Sequence, residues 1–356
     1  MMNSRIDMVL VAFAFGVAAG CDGRPLLPTS GGSPDQAPAC GAAVAVTEMA
    51  VHGDGFAIQP LSITAGADGN VWITEAYVNA IGRLGPDGSL ASFPLPPSAR
   101  RAQGIGSGPD GNVWFAEGGD QNGAIGRITP DGTIVEFPLP DTPAQTNRWP
   151  SAVLAGPDGN IWFTDPTGNN IGRMSVDGVI LADTFLSTTS DWRDTPNTIT
   201  VGADGNLWFG EVNRVGRMTP AGDVTFYALD RYENAGGAGN IVSGADGYLW
   251  WNGPGLDHLR RIALPRGDDS QLEIADFFPP GYDPGTPPVV GPMVVGPDGN
   301  IWYVSGPNVV CATTAGRFNQ ISIPTGGSAF AIAAGPDGAL WFTEPVSDRV
   351  GRISFN

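Results

Sequence analysis

A sequence motif that is repeated seven times constrains this chain more than any other feature of its sequence. The motif consists of a small residue, Asp-Gly, two further residues and a Trp. The seven copies begin at Asp68, Asp110, Asp158, Asp204, Asp246, Asp298 and Asp337, in steps of 42, 48, 46, 42, 52 and 39 residues. Repeats of about 40 to 50 residues that contain turns and strand-forming segments are typical of β-propeller blades. The repeat predicts an all-β fold, a seven-bladed β-propeller.

The second repeat shows how one blade is built. Two Pro-Asp-Gly hairpin turns, at 109–111 and 130–132, separate short segments that favour strands. In order, the predicted strands are GIGSG (104–108), VWFAE (113–117), AIGRI (124–128) and TIVEFPLP (133–140). Each blade is therefore predicted to hold four antiparallel strands, here named inner, second, third and outer.

The last repeat ends at its third strand, so its outer strand must come from elsewhere. Residues 44–51, which contain Ala45-Val46-Thr47-Glu48-Met49, resemble the outer strand Val135-Glu136-Phe137. We expect this segment to complete the last blade and close the ring, which removes the exposed sheet edges of an open array.

Three residue types recur at equivalent blade positions, and a feature shared by all blades is expected to build blades. The Trp of the second strand and the Ile of the third are predicted to pack blade against blade. The third strand carries an Arg in six repeats, predicted to contact a neighbouring Asp or carbonyl, with Cys311 in the sixth; the six are Arg83, Arg127, Arg173, Arg217, Arg261 and Arg352.

The N-terminus divides the chain into three predicted parts. Residues 1–20 contain an apolar stretch after Arg5 that is too short to span a bilayer and is typical of a secretory signal. The sequence before Cys21 resembles a bacterial lipoprotein box, which predicts lipidation of Cys21; ordinary cleavage after the small residues is the alternative. Residues 21–43 are then a Pro/Gly/Ser-rich tether, and residues 44–356 the propeller.

The two remaining cysteines, Cys40 and Cys311, have two interpretations. In an exported protein they can form a disulfide that pins the N-terminus to blade six. Alternatively, they are two unpaired small residues, since a sequence does not give the Cα separation.

The chain carries 36 Asp and Glu against 18 Lys and Arg, a net charge of -18. Such a surface repels phosphate backbones, so we expect no nucleic-acid partner. We expect a monomer, exported to the periplasm or cell surface, that meets the membrane only through its lipid anchor. Its expected partner is a small molecule, a glycan or a protein.

Both hairpin turns of a blade lie on one face, here called the turn face. The opposite or mouth face holds the end of the second strand and the start of the inner strand, where propellers usually bind ligands. The candidate ligand-binding residues there are Glu75, Glu117, Asp165, Glu211, Gln103 and Asn197. Carboxylates at this place can hold Mg²⁺ or Ca²⁺, with Glu75 and Glu344 as the candidate metal pair; alternatively, each accepts hydrogen bonds within its own blade.

The repeat pattern GPDGN-(I/V/L)-WFT-E, IGRI-x-PDG and EFPLP closely resembles the streptogramin lyases over roughly residues 44–356. The resemblance implies a seven-bladed propeller that opens a cyclic depsipeptide by elimination at an ester, with a His as general base and Mg²⁺ stabilising developing charge. Leu61 stands where the family has its Tyr, and Gly291 and Phe330 stand where it has His. Glu344 matches the family's carboxylate and is the single candidate catalytic residue.

The chain has only two histidines, His52 and His258, and neither is expected at the mouth. We expect both to be ordinary surface histidines. The leading functional prediction is a binding module that uses the mouth face, where aromatic residues of the predicted loops could stack on a ligand: Trp149, Trp192, Phe277, Phe278 and Tyr282. The alternatives are a lyase with a rearranged, Mg²⁺-assisted site and a calcium-dependent lactonase-like propeller, for which Asn197 and Asp165 are too few ligands.

Overall fold

The computed structural model describes residues 40, 45–53, 56–97, 100–119, 123–141, 148–186, 195–211, 214–229, 239–253, 258–265, 272–279 and 291–355. The predicted signal segment, Cys21, most of the tether, Trp192 and Tyr282 lie outside this part of the chain, as does the side chain of His52. Among the described residues, no helix is both long and apolar enough to cross a membrane.

Seven four-stranded antiparallel sheets form the blades, which confirms the predicted seven-bladed propeller. The chain begins with β1 (Ala45–Ala50) and a small hairpin of β2 (His52–Gly53) and β3 (Phe56–Ala57). Blade one contains β4 (Pro60–Ala65), β5 (Val71–Glu75), β6 (Ala80–Leu84) and β7 (Leu90–Pro94). Blade two contains β8 (Arg100–Ser107), β9 (Val113–Gly119), β10 (Ala124–Ile128) and β11 (Ile134–Pro138).

The remaining blades follow the same order, inner strand first. Blade three contains β12 (Val153–Ala155), β13 (Ile161–Asp165), β14 (Asn170–Met174) and β15 (Ile180–Phe185), with a 3-10 turn at Pro166–Gly168. Blade four contains β16 (Thr198–Val201), β17 (Leu207–Gly210), β18 (Arg214–Met218) and β19 (Val224–Ala228). Blade five contains β20 (Asn240–Ser243), β21 (Leu249–Asn252), β22 (Leu259–Ile262) and β23 (Ile274–Phe277). Blade six contains β24 (Met293–Val295), β25 (Ile301–Ser305), β26 (Asn308–Ala312) and β27 (Phe318–Ser322), and blade seven β28 (Ile332–Ala334), β29 (Leu340–Glu344) and β30 (Arg349–Ser354).

Blade seven is completed by β1, as predicted. This strand pairs antiparallel with β30, from Ala45 opposite Ser354 to Ala50 opposite Arg349. The ring is therefore closed by a strand from the beginning of the propeller, and blade seven gains the outer strand that the C-terminal repeat lacks.

Three strands of blade two differ in their bounds from the prediction; its outer strand spans Ile134–Pro138 instead of 133–140. Blade two begins its inner strand at Arg100 instead of Gly104, and its second strand continues to Gly119 instead of ending at Glu117. The two extensions pair with each other, Arg100 opposite Gly119 and Arg101 opposite Gly118. Arginine and glycine are weak strand signals, so this extension depends on the partner strand and not on local propensity.

The seven Asp-Gly motifs each form the same side-chain contact. Each Trp indole donates a hydrogen bond from Nε1 to Oδ1 of the Asp four residues earlier, at 2.9 to 3.2 Å. The Gly that follows each Asp has φ between 71° and 81°, a left-handed conformation that favours glycine. All seven Trp side chains are fully buried. The turn thus places a large apolar ring between blades and satisfies its one donor.

The hydrophobic core lies between neighbouring blades, as the sequence predicts. For example, Trp72 and Ile81 of blade one pack with Ile105, Phe115 and Ile128 of blade two. Burying aromatic and branched side chains from both sheets supplies most of the stabilisation, and the recurring arginines add polar contacts at the edge of each interface.

Four of the six recurring Arg residues make the contacts to a neighbouring blade that the sequence predicts, and the other two pair within their own blades. Arg127 of blade two donates to the carbonyl oxygen of Val176 in blade three at 2.8 Å, and its guanidinium lies 5.6 Å from the Trp114 ring. Arg83, Arg173 and Arg261 make the same kind of bond to the next blade's turn, and Arg217 and Arg352 pair with the turn Asp of their own blades.

In blade six, Cys311 replaces this Arg and faces Cys40, just before β1. The structure joins them by a disulfide, with an S–S distance of 2.17 Å and Cα atoms 5.8 Å apart. The link lies at the junction of blades six and seven, beside the strand that closes the ring.

Candidate functional site

The candidate carboxylates end the second strands at the mouth face and are all buried. Glu75, Glu117, Asp165, Glu211 and Glu344 each have no solvent-exposed surface. In blade one the glycine of the third strand leaves room for the carboxylate, since a Cβ on Gly82 would lie 2.4 Å from Oε1 of Glu75. The partners of the carboxylates differ from blade to blade and come from outer strands, third strands and connecting segments.

Glu75 of blade one has one partner in its own blade. Its Oε1 accepts a hydrogen bond from the Ser92 hydroxyl of the outer strand at 2.7 Å, while Oε2 has no hydrogen-bond partner. Burial raises the pKa of Glu75, and the Ser92 hydrogen bond partly offsets this. This carboxylate matches the interpretation in which each acid is held within its own blade.

Of the five buried carboxylates, Glu117 of blade two has the fewest hydrogen bonds to offset the loss of solvent. Neither of its carboxylate oxygens has a hydrogen-bond partner among the residues that the structure describes. Glu136 of the outer strand lies nearby and pairs with Arg100 at 3.3 Å. Burial raises the pKa of Glu117 to about 8, the Glu136 charge raises it as well, and the Arg100 charge lowers it. At neutral pH this side chain is therefore mainly a neutral acid.

Blade three contains a buried ionic cluster that the sequence did not predict. Arg148, fully buried, donates from Nε to Oδ2 of Asp165 at 2.7 Å and from its two terminal nitrogens to Asp183 at 2.7 and 3.0 Å. Asp165 also accepts from the Thr167 hydroxyl at 2.7 Å and from the Trp149 amide at 3.2 Å. Burial raises the pKa of Asp183, and the Arg148 charge lowers it.

Glu211 of blade four forms an ion pair with Arg214 of the next strand. Arg214 lies over the ring of Phe226 in the outer strand, 3.8 Å from its centre. Blade four thus holds its carboxylate with a cation from the third strand, where blade three uses one from the connecting segment.

Glu344 of blade seven lies in a second acid pair. Its Oε2 accepts from the Ser347 hydroxyl at 3.0 Å and from the Thr325 hydroxyl at 3.5 Å, and Thr325 also bonds Glu48 of the closing strand. Burial and the neighbouring Glu48 raise the pKa of Glu344 to about 7, and Ser347 and Arg349 lower it. A pKa near neutrality suits a general base. However, this carboxylate is covered on the mouth side by the segment that connects blade six to blade seven, which contains Thr325.

The predicted metal sites lack a suitable set of ligands in the described part of the chain. No three His, Cys, Asp or Glu side chains there come together as a metal site. Glu75 and Glu344 each bond to hydroxyls near their own blade, and the Glu117–Glu136 pair has Arg100 beside it. This donor set does not fit Mg²⁺ or Ca²⁺, which need several oxygen ligands around one point.

The inner-strand starts serve blade-to-blade contacts through their backbones. The carbonyl of Gln103 accepts a bond from the Thr74 hydroxyl of blade one, at 3.3 Å. The carbonyls of Leu61, Gly239 and Gly291 accept equivalent bonds from blades seven, four and five. The side chains of Gln103, Asn197, Leu61 and Phe330 are half-buried.

The expectation that His258 is a surface residue is wrong. Its side chain is only 4% exposed; Nε2 lies 3.4 Å from Asp276, and the ring lies 4.6 Å from that of Phe278. Blade five has Gly253 in place of the carboxylate and Arg260 in place of the third-strand glycine, so Arg260 and Asp276 fill this space. That break in the repeat was the available signal for a buried polar cluster.

The aromatic residues predicted in mouth loops divide into two groups. Phe277 belongs to β23 and packs on Trp250 at 5.2 Å, so it is not a loop residue. Trp149 and Phe278 do lie at the mouth and expose 37% and 47% of their surface. Arg148 next to Trp149 was missed because nothing in a single sequence links it to carboxylates 17 and 35 positions away.

Comparison with known proteins agrees with this architecture. The virginiamycin B lyase family model matches residues 12–276. Comparison with curated protein sequences finds no match. A virginiamycin B lyase from Staphylococcus aureus, solved with selenomethionine, is 28% identical with a TM-score of 0.73, covering 88% of this chain and 100% of that one.

Two further solved structures are similar. A streptogramin B lyase is 27% identical with a TM-score of 0.74, covering 88% of this chain and 98% of that one. A catalytically inactive His-to-Ala variant of the Staphylococcus aureus enzyme, solved with quinupristin, is 28% identical with a TM-score of 0.74, covering 88% and 100%. The family match spans well over half of the sequence, and this chain belongs to the virginiamycin B lyase family.

Proposed function

We propose that this chain is an exported, lipid-anchored propeller that acts as a binding module through its mouth face. The observation that carries the proposal is the chemistry of the inner-strand starts: Leu61, Gly291 and Phe330 hold no base there. Proton abstraction next to a carbonyl needs a positioned base, so these positions support binding but not elimination.

The histidines support the same proposal. In the relative solved with quinupristin, changing one histidine to alanine gives a catalytically inactive protein. Here His258 is only 4% exposed and packs against Asp276 and Phe278 in blade five, so its ring is covered by these neighbours. Fold persists in families where activity has changed, so family membership alone does not transfer the reaction.

The ligand is proposed to be a small molecule, a glycan or a protein, met by a monomer at the outer side of a membrane. The exposed mouth-face side chains support this: Tyr77 exposes 67% of its surface, Val346 92% and Phe278 47%. Apolar groups that stand in solvent on one face favour contact with a partner there.

A lyase with a rearranged site is the second candidate, and Glu344 is the observation that favours it. Its pKa of about 7 would let it accept a proton at neutral pH. Its burial beneath Thr325 and Ser347 opposes this role, because a base must reach the proton that it removes.

Incubation of the full chain with quinupristin and Mg²⁺ separates the two candidates. The binding proposal expects the ring to remain closed, as followed by chromatography and by retained antibiotic activity. Ring opening that disappears in Glu344→Ala, with the variant's fold checked by circular dichroism, would establish the lyase and overturn the proposal.

A further inference from the structure

Blades two and three build a feature at the mouth that no other blade repeats within the described residues. Trp149 and Arg101 each stand two residues before the position that the sequence assigns to the mouth end of an inner strand, Ser151 and Gln103 respectively. They therefore occupy equivalent positions on the channel rim in neighbouring blades. Contacts that recur in every blade stabilise the scaffold. A contact found only at the interface between blades two and three is not needed for the repeat and is a candidate for ligand binding.

Trp149 is held in place from three sides. Its amide donates to Asp165 at 3.2 Å and to the Thr167 hydroxyl at 3.1 Å. The preceding residue, Arg148, is locked by its ion pairs, and its carbonyl accepts from the Gly123 amide of blade two at 2.8 Å. The indole rests on Gly118, where a Cβ would lie 2.3 Å from Nε1. The ring is thus fixed, with 37% of its surface in solvent.

Arg101 brings a positive charge to the same side of blade two. It pairs directly with Gly118 across β8 and β9. Directly opposite residues of an antiparallel pair project from the same side of the sheet, so the Arg101 side chain leaves the side on which the Trp149 indole rests. Arg101 is exposed, and within the described part of the chain it has no hydrogen bond or ion pair.

The charge near this rim differs from that of the whole molecule. Arg100 pairs with Glu136, and Arg148 pairs with Asp165 and Asp183, while Arg101 adds a positive charge without an ion pair among the described residues. Glu117, with a pKa of about 8, adds little negative charge at neutral pH. The three arginines balance these three carboxylates within a chain of net charge -18; Asp141, exposed on the connection between the two blades, adds one negative charge, and salt screens the more distant acids beyond about 8 to 10 Å.

An exposed indole beside an unpaired guanidinium suits one kind of ligand. The flat face of a sugar packs against an indole, and a carboxylate accepts two parallel hydrogen bonds from a guanidinium. We infer that Trp149 and Arg101 form a subsite for an acidic sugar, a uronic acid, at the rim between blades two and three. This inference rests on the proposed use of the mouth face for binding.

Calorimetric titration of the full chain with trigalacturonic acid and with neutral galactotriose tests the subsite. We expect the acidic trisaccharide to bind about tenfold more tightly, and Arg101→Gln to remove that preference. Trp149→Ala is expected to weaken binding about tenfold or more, since stacking on an indole contributes on the order of the 1.4 kcal/mol that a factor of ten requires. Gly118→Ala, which displaces the indole but keeps it, should weaken binding as well.

Tyr248→Ala, at an aromatic residue on the turn face with the same 37% exposure as Trp149, is the matched control and should leave binding unchanged, while Tyr77→Ala probes the mouth of blade one. Binding that falls in Tyr77→Ala but not in Trp149→Ala would overturn the subsite and leave the mouth-face proposal standing. Binding that none of these variants changes would overturn the subsite. Absence of binding by trigalacturonic acid, in a chain whose melting curve shows it folded, overturns the subsite.

Discussion

The two faces of the propeller follow different rules. On the turn face, seven Asp residues accept a hydrogen bond from seven Trp indoles at 2.9 to 3.2 Å. On the mouth face, the carboxylate at one equivalent position is held by Ser92 in blade one, by Arg148 in blade three and by Thr325 and Ser347 in blade seven. The uniform face builds the ring, and the varied face is where individual blades specialise.

The sharpest contrast between the faces is the cost of removing one arginine. Arg148→Ala leaves Asp165 and Asp183 buried without their cation, and we expect the free energy of unfolding to fall by about 3 to 5 kcal/mol. Arg352→Ala removes a half-exposed pair with Asp337 on the turn face and should cost about 1 kcal/mol or less. Urea unfolding of both variants measures the difference; similar losses would contradict the contrast.

Blade six departs from the repeat because Cys311 takes the place of the recurring Arg and forms a disulfide with Cys40. Replacing Cys40 and Cys311 together with Ser removes a cross-link that spans 271 residues. We expect a loss of about 2 to 4 kcal/mol in unfolding free energy, because the open chain gains conformational freedom. The same unfolding measurement on the unaltered chain with and without reductant is the control. An unchanged midpoint in both experiments would show that β1 closes the ring unaided.

Uniformity of the turn face predicts equal costs in distant blades. Asp110→Ala and Asp298→Ala each remove the acceptor of a buried indole N–H. An unsatisfied buried donor costs about 1 to 3 kcal/mol, and we expect the two losses to agree within about 1 kcal/mol. Thermal and urea unfolding of the two variants side by side would expose any blade whose turn plays a separate role.

The smallest expected effect concerns pH and belongs to the mouth face. The pKa values of Glu117 and Glu344 are raised to about 8 and about 7 in the fold, above the value for an unfolded chain. Their contribution is complete below the unfolded pKa and is lost as pH rises through the folded values. Unfolding free energy should fall by about 1 kcal/mol between pH 7 and pH 8, and Glu117→Gln should flatten that decline. A stability that rises over this interval would contradict the burial of a neutral acid.

Much of the fold could be predicted because the repeat states it seven times. The Asp-Gly-Trp motif predicted the blades and their hairpins. The similarity of Val46-Thr47-Glu48 to an outer strand predicted the strand that pairs with β30. These signals are local in sequence, or are copies of one another.

The parts of the site that could not be predicted depend on distant, unrepeated contacts. Arg148 reaches Asp183 across 35 positions, and Arg101 joins a strand only because Gly118 extends the partner strand. Glu117 reads in the sequence like Glu75, yet one has a hydroxyl partner and the other has none. The difference comes from the outer strand, which places the Ser92 hydroxyl beside Glu75 in blade one and the Glu136 carboxylate near Glu117 in blade two.

Hydrogen–deuterium exchange of the full chain, with and without trigalacturonic acid, tests most directly the claim that the varied face binds and the uniform face builds. The account predicts that the ligand slows exchange at the mouth, in the amides of 100–103, 117–119 and 148–151, and leaves the Asp-Gly turns unchanged. Protection centred on the Asp-Gly turns, with the mouth amides unaffected, would contradict it.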